Sequence, residues 1–234
     1  MISCKVGKYQ GQQIIAGKAN TNFPFFHPGL VTNDVRHLLD NGSTPVSQNC
    51  IYSFMLNTSG RILFDLFIYN FSHRNDELFI EVDSQLASHF VALLKRYKVR
   101  RKIDIKVNEA AKVFTLYPDA PKDAQKLPIE GSSEGDHLLA HDPRNYHFGY
   151  RLLTFGSAQV DVPLILSAEN SSFKDASFTE SDTEKYRIFR YQNGIAEGSI
   201  DFPPETMFPF EANAELLNGV SFQKGNFKTI TDDT

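Results

Sequence analysis

The sequence predicts an α+β fold, an antiparallel sheet with helices on one face. Three observations carry that prediction. Ile51 to Leu56 and Ile62 to Tyr69 are rich in β-branched and aromatic residues, and the Asn57-Thr58-Ser59-Gly60 between them supplies turn chemistry, so the pair reads as a hairpin. Leu78 to Val82 reads as a third strand. It leads into a helix that Asp83 or Ser84 would cap, running to about Tyr97 with Leu86, Phe90, Leu93 and Leu94 on its buried face. Ile103 to Val107 then alternates as a strand does, and Val113 to Tyr117 has the same character. Strands therefore bracket a helix.

Residues 1–26 show no clear period and read as an irregular amino end. Thr32 or Asn33 can cap a short helix, with Asp34 in its positive first turn, Val35, Leu38 and Leu39 as the apolar stripe, and Asn41-Gly42 as its stop. Pro118 to Arg144 is polar and reads as a surface linker. Tyr146 to Phe155 and Val160 to Leu166 resume strand character, and Asn170 to Ser181 is a second polar loop. In the stretch from Ser181, Ser181 and Glu184 have capping-box spacing. Tyr186 and Phe189 share one face of the helix that follows, and Asn193-Gly194 ends it. Pro203, Pro204 and Pro209 hold the next loop out of regular structure, before a short second helix and a strand that reaches Gly225.

Composition excludes several classes. The 234 residues suffice for one large domain or two small ones, and the 41% of hydrophobic residues can fill a core. No apolar run is long enough to cross a bilayer, and a net charge of −4 argues against a dedicated nucleic-acid binder. Cys4 and Cys50 are too few for a disulfide framework. Residues 1–33 contain no Asp or Glu, as a transit peptide would, but also lack arginine. No G-x-S-x-G, P-loop, C-x-x-C or dinucleotide glycine motif occurs. His137 and His141 have a spacing that on a helix would bring two imidazoles to one metal, but Pro143 argues against a helix there. Lys95, Arg96, Lys98, Arg100, Arg101 and Lys102 form a cationic run of the kind that complements helix C-terminal carbonyls. Asp201 and Glu205 form a possible carboxylate pair whose geometry nothing in the sequence fixes.

Several motifs in order resemble the YgfZ/GcvT-like proteins, relatives of the glycine-cleavage T-protein, and most of all their mitochondrial iron–sulfur cluster assembly branch. The motifs are Arg190-Tyr191, Gly194-Ile195, Glu197-Gly198, Asp201, Pro203-Pro204, Phe208-Pro209, Glu211, Asn213 and Leu217 through Gly225. Earlier, T-N-D-V at Thr32–Val35, L-N-T-S-G-R-I-L-F-D at Leu56–Asp65, and the basic run also resemble the family. The resemblance covers about 27–225. It implies a T-protein-like split domain with an inserted ferredoxin-like antiparallel layer. The enclosing domain would be 27–49 plus 140–225, the insert 50–118, the linker 119–139, and 226–234 a divergent tail. The C-terminal β-barrel of the family would be missing.

The resemblance also implies a folate-like ligand, tetrahydrofolate, lined by Asn33, Asp34, Arg61, Asp65, Arg190 and Tyr191, with Lys224 and Gly225 left from the family's thiol motif. Cations of the basic run would meet a folate's glutamate tail. Transferase relatives carry paired aspartates where this chain has Phe64-Asp65, and a glutamate where it has Gln192. A neutral amide cannot act as general base, so an assembly factor is expected rather than a turnover enzyme, with no catalytic residue assigned. A folate-dependent aminomethyltransferase is the alternative, and a non-functional isoform or fragment a third reading. The expected partners are A-type iron–sulfur scaffold proteins, for 4Fe–4S clusters, in the mitochondrial matrix. Neither nucleic acid nor membrane is expected. Relatives follow K-G with a cysteine, where this chain has Asn226. An iron–sulfur cluster on this chain alone is therefore not expected, and the chain reads as a truncated, impaired form.

Overall fold

A computed structural model describes residues 3–8, 11–18, 31–32, 49–70, 77–98, 103–119, 132–134, 137–156, 160–169 and 173–221. Two sheets lie face to face between helices. The five-stranded sheet is antiparallel throughout, in the order β3 (Cys50–Leu56), β4 (Ile62–Asn70), β5 (Glu77–Asp83), β2 (Gln12–Lys18), β6 (Ile105–Asn108). The six-stranded sheet runs β11 (Ser177–Glu180), β1 (Ser3–Lys8), β7 (Lys112–Pro118), β10 (Tyr150–Thr154), β9 (His137–His141), β8 (Ser132–Glu134). Within it only the β1–β11 pair is parallel.

Strand alternation sorts the side chains into three cores. The outer face of the five-stranded sheet presents Ile51, Leu66, Ile68, Ile80 and Val82 to helix α1 (Ala87–Tyr97), which answers with Ala87, Phe90 and Leu94. Its inner face presents Tyr52, Phe54, Phe67, Tyr69 and Phe79 to Val113, Leu138 and Leu153 of the six-stranded sheet. The far face of that second sheet, with Phe114, Leu139, Tyr150 and Leu152, is covered by Val162 and Leu166 of helix α2 (Val162–Glu169) and by Phe173. The α+β class holds, and so do the hairpin, the third strand, the α1 helix and the two strands after it.

Other expectations give way. The amino end is not irregular: β1 and β2 each sit between two strands of a sheet. Ladder pairing and a half-buried position outweigh weak local propensity there. The polar linker contains β8 and β9, whose alternating apolar residues Leu138 and Ala140 face the inter-sheet core. Val160 to Leu166 is not a strand, because a short apolar run is ambiguous between helix and strand. Asp161 decides it, accepting the Leu164 amide at 3.1 Å, with Pro163 in the first turn of α2. The second polar loop contains β11, an edge strand paired to β1. The strand expected from Tyr146 is split: a 3₁₀ turn, Tyr146–Phe148, precedes β10.

Capping differs as well. Asp83 does not cap α1; its Oδ1 accepts the Gln85 amide at 2.8 Å, and Leu86 stands at the cap with no side-chain bond. Asp182, not Ser181, caps helix α3 (Thr183–Gln192), accepting the Lys185 amide at 2.8 Å. Glu184 pairs outward with Arg187 at 2.6 Å instead of reaching back. Ser181 is buried and bonded to the Tyr117 hydroxyl. Asn193 and Gly194 end the helix as expected, Gly194 with φ of 68°. The short second helix, α4 (Gly198–Asp201), precedes the prolines, and 209–218 forms successive turns with no strand as far as Ser221. The short helix expected from Thr32 or Asn33 lies outside the described residues.

Gly149, between the 3₁₀ turn and β10, has φ of 97°, and a Cβ there would meet the Leu116 carbonyl oxygen at 2.0 Å. Both the conformation and the contact require glycine. Gly149→Ala is expected to lower the unfolding free energy by ~2–4 kcal/mol, measured by urea denaturation; an unchanged midpoint would refute the close approach.

Candidate functional site: a buried ion cluster beneath a short helix

Charged residues stand where both sheets are otherwise apolar. On β4 and β5, alternation puts Asp65, Phe67 and Tyr69 on the inner face beside Glu81 and Asp83. On β10, Arg151 takes the inner position between Tyr150 and Leu152. Arg144 follows β9, and Glu197 precedes α4. Arg144, Arg151, Glu81, Glu197 and Asp142 all lie buried between the sheets.

These charges are paired with close geometry. Arg144 donates from Nε and Nη2 to the two Asp142 oxygens, at 2.9 and 2.6 Å, and from Nη1 to Glu197 Oε2 at 2.5 Å. Arg151 pairs with Glu81, whose Oε2 also accepts the Tyr69 hydroxyl at 2.5 Å. The Tyr186 hydroxyl of α3 meets Glu197 Oε2 at 3.2 Å and receives the Arg144 and Arg151 guanidiniums at 3.2 and 3.3 Å. The Phe67 ring lies under both guanidiniums, 3.7 Å from Arg151 and 4.8 Å from Arg144.

The electrostatics separate the carboxylates. Burial works against the Glu197 charge, but Arg144, Arg151 and Arg190 outweigh it and hold the group down to about 2. Burial pushes Glu81 above the usual carboxylate range, with Arg151 acting against that shift and Glu197 adding to it. Asp65 is pushed up to about 6, by burial first and then by Glu197, against the Gly198 amide and Arg144. Burial likewise opposes the charge of both arginines, yet their carboxylate partners hold them ionised well above the ordinary range.

Helix α4 is seated on these acids. Its first amides point at two strands of the five-stranded sheet: Gly198 N–H to Asp65 Oδ2 at 3.1 Å, and Ser199 N–H and Oγ to Asp83 Oδ2, both at 2.7 Å. Gly198 has φ of 78°, and a Cβ on it would stand 3.0 Å from Asp83 Oδ2, so the seat needs glycine. The Tyr52 hydroxyl gives Asp65 Oδ2 its second donor at 3.3 Å. Asp201 at the other end accepts Arg190 Nη1 at 2.7 Å, the Glu197 amide at 2.9 Å and the Tyr191 hydroxyl at 2.9 Å.

The expected site residues are therefore placed as follows. Asp65, Arg190 and Tyr191 all meet α4, Asp65 at its start and the other two through Asp201. Arg190 is buried and also holds the Ile195 carbonyl at 3.0 Å, whereas Tyr191 is 53% exposed. Arg61 belongs to a neighbouring contact: it donates to the Thr206 carbonyl at 2.7 Å and lies 4.4 Å over the Phe208 ring. Asn33, Asp34, Lys224 and Gly225 lie outside the described residues, as do Arg100, Arg101 and Lys102. Thr32, which begins the T-N-D-V string, accepts the Phe54 amide at 2.8 Å and donates to the Gly219 carbonyl. Asp201 serves α3 and α4, and the Glu205 backbone amide donates to the Ile62 carbonyl at 2.7 Å. His137 and His141 lie on strand β9, where four residues span about 13 Å. His141 packs 4.2 Å from the Tyr150 ring. Among the described residues, no group of three or more metal-ligating side chains is assembled.

Reading of the sequence missed Glu81, Arg144 and Arg151. A lone charge inside an apolar strand, as in Leu78-Phe79-Ile80-Glu81-Val82 or Tyr150-Arg151-Leu152, was the available signal, because such a charge is buried only when paired.

Comparison with solved structures defines the fold first. The fold is similar to that of glycine cleavage system aminomethyltransferase T from Bartonella henselae, with a TM-score of 0.62 at 14% identity, covering 92% of this chain and 57% of that one. No family model matches the chain. At the level of sequence, the chain is a homologue of the mitochondrial iron–sulfur cluster assembly factors named IBA57. It is 32% identical over 222 residues to the mouse protein, covering 93% of this chain and 58% of that one. It is 32% identical to the Dictyostelium discoideum homologue, over 84% of this chain and 50% of that one. The human factor is 28% identical over 84% of this chain and 52% of its own length. The chain thus spans about half the length of these curated relatives.

The raised Asp65 titration has a signed consequence. A carboxyl whose folded value lies above its unfolded one favours the fold at low pH, and that advantage is lost as pH rises from about 4 to about 6. Asp65→Asn removes the buried charge while keeping an acceptor for the Gly198 amide. It is expected to stabilise the protein by ~1–3 kcal/mol at pH 7.5, with the gain vanishing by about pH 4. Denaturation series at both pH values would measure this, and an equal effect at the two would refute it. Removing one partner of the Arg151–Glu81 pair, by Arg151→Met, strands a buried carboxylate and is expected to cost ~3–5 kcal/mol in the same assay.

Proposed function

We propose that this chain is a mitochondrial iron–sulfur cluster assembly factor that binds a folate-like ligand and does not turn it over. The single observation carrying this reading is the homology to the IBA57 proteins, named as mitochondrial assembly factors, over 93% of the chain. The ligand reading draws support from the T-protein-like fold and from Asp65, an acid kept buried beneath α4. The proposed ligand-facing set is Asn33, Asp34, Arg61, Asp65, Arg190 and Tyr191, with Lys224 and Gly225, and tetrahydrofolate as the proposed ligand. Phe64 and Gln192 stand where transferase relatives are expected to carry acids, and Gln192 is exposed on α3, away from the buried carboxylates. That favours binding over group transfer.

The partners proposed are A-type iron–sulfur scaffold proteins handling 4Fe–4S clusters in the matrix. No helix among the described residues is long and apolar enough to cross a membrane. Asn226 occupies the position of the family thiol, and an amide is a poor substitute for a thiolate as a cluster ligand.

Calorimetric titration of the purified chain with tetrahydrofolate tests the ligand. Saturable one-to-one binding is expected, weakened at least about tenfold by Asp65→Ala. Wild-type protein that gives no heat would overturn the folate reading. Mixing with a cluster-loaded A-type scaffold, followed by visible absorption, tests the partner. Complex formation is expected without a cluster held jointly, and a stable cluster shared with this chain would contradict the reading of Asn226.

A further inference from the structure

We propose that Arg144 is a positioning residue for Asp65: by gripping Glu197 and Asp142 it fixes the seat of α4, whose Gly198 amide donates to Asp65 Oδ2, while its guanidinium lies over the ring of Tyr52, a second donor to that oxygen. The inference rests on the reading of Asp65 as a ligand-facing acid, but its geometry stands by itself.

Both donors to Asp65 Oδ2 belong to elements that Arg144 touches. One is the Gly198 amide, at 3.1 Å. Its direction is set by the preceding residue, Glu197, which Arg144 Nη1 holds at 2.5 Å. The other is the Tyr52 hydroxyl, at 3.3 Å, whose ring lies 5.5 Å under the Arg144 guanidinium. The guanidinium is in turn anchored from behind by two bonds to Asp142, at 2.9 and 2.6 Å. A planar fork bonded on two edges and stacked on a ring has little freedom, and lysine cannot reproduce it. Arg144 therefore sits one contact behind Asp65 on both sides.

The charged and titratable groups facing Asp65 are Tyr52 on β3, Glu197 before α4, and Arg144 after β9. Glu197 raises its proton affinity, whereas the Gly198 amide and Arg144 lower it. Loosening the Arg144 grip should lengthen the amide bond and move the Asp65 midpoint upward. Lysine keeps the positive charge, so an arginine that acted on Asp65 only through its charge would leave that midpoint close to where it is in a folded Arg144→Lys.

Carboxyl-carbon NMR of aspartate-labelled protein reads the Asp65 midpoint directly, and tetrahydrofolate titration reads binding. In Arg144→Lys, the midpoint is expected to rise by about half a pH unit or more, and affinity for tetrahydrofolate to fall about tenfold. Leu94→Ala, in the separate core under α1, serves as the control for general destabilisation and should move neither. Should Arg144→Lys fail to fold, Asp142→Asn gives a second route, since Asp142 reaches Asp65 through Arg144. Removing an anion acts directly to lower the Asp65 midpoint, so a rise in that variant identifies the loss of grip. An unmoved midpoint in a folded Arg144→Lys, or a fall in Asp142→Asn, would overturn the inference. Wild-type protein that ignores tetrahydrofolate would end the ligand reading, while the midpoint shifts would still decide the role of Arg144.

Discussion

Two guanidiniums buried between two sheets set the terms for the rest of this structure. Arg144 and Arg151 pair with Asp142, Glu197 and Glu81 while resting on the Phe67 ring. Replacing such a cluster by well-packed apolar residues is often neutral or stabilising, so its presence is weak evidence for stability. What it supplies is register. β5, β10, the end of β9, α3 and the entry to α4 all end on the same few atoms, and a shift of any one would leave a charge without its partner. The apolar contacts around the cluster would tolerate such a shift far more easily.

The spacing of the stretch from Arg190 to Asp201 acquires a physical meaning in this frame. Arg190 and Tyr191 close on Asp201, Gly194 turns the chain, Ile195 is buried, Glu197 enters the ion cluster, and Gly198 presents its amide to Asp65. Further on, Gly219 lies so close to the Phe54 ring that a Cβ would stand 2.6 Å from it. Each position is explained by the seating of α4 or by contact with the inner sheet face. The same seating leaves Asp65 buried, pushed up to about 6, and bonded to a helix start.

Much of the fold was readable in the sequence where one signal dominated. The Ile51–Tyr69 hairpin combined β-branched runs with a turn of unambiguous chemistry, and α1 carried a clear stripe. Asp65, Arg190 and Tyr191 were reached through resemblance, and they converge on α4. The failures have physical causes. β1, β2 and β11 form because partners distant in sequence offer them ladder bonds, and nothing local announces that. α2 was misread because a five-residue apolar run, broken only by Pro163, fits either period. Asp182 displaced Ser181 as cap because Ser181 is spent on Tyr117. Arg144 and Arg151 escaped notice because a buried cation is intelligible only when its carboxylates, far away in the chain, are seen beside it.

The placement of β1 bears on how such a chain reaches its native state. Ser3 pairs with Ser177, and β2, only a few residues further, is clamped between β5 and β6 in the opposite sheet. Both strands thus find their neighbours only among residues far along the chain. Pairings this remote carry a heavy loop-closure cost and slow the search. Neither sheet can be completed from a local stretch of sequence, so the register of each waits on the meeting of segments far apart in the chain.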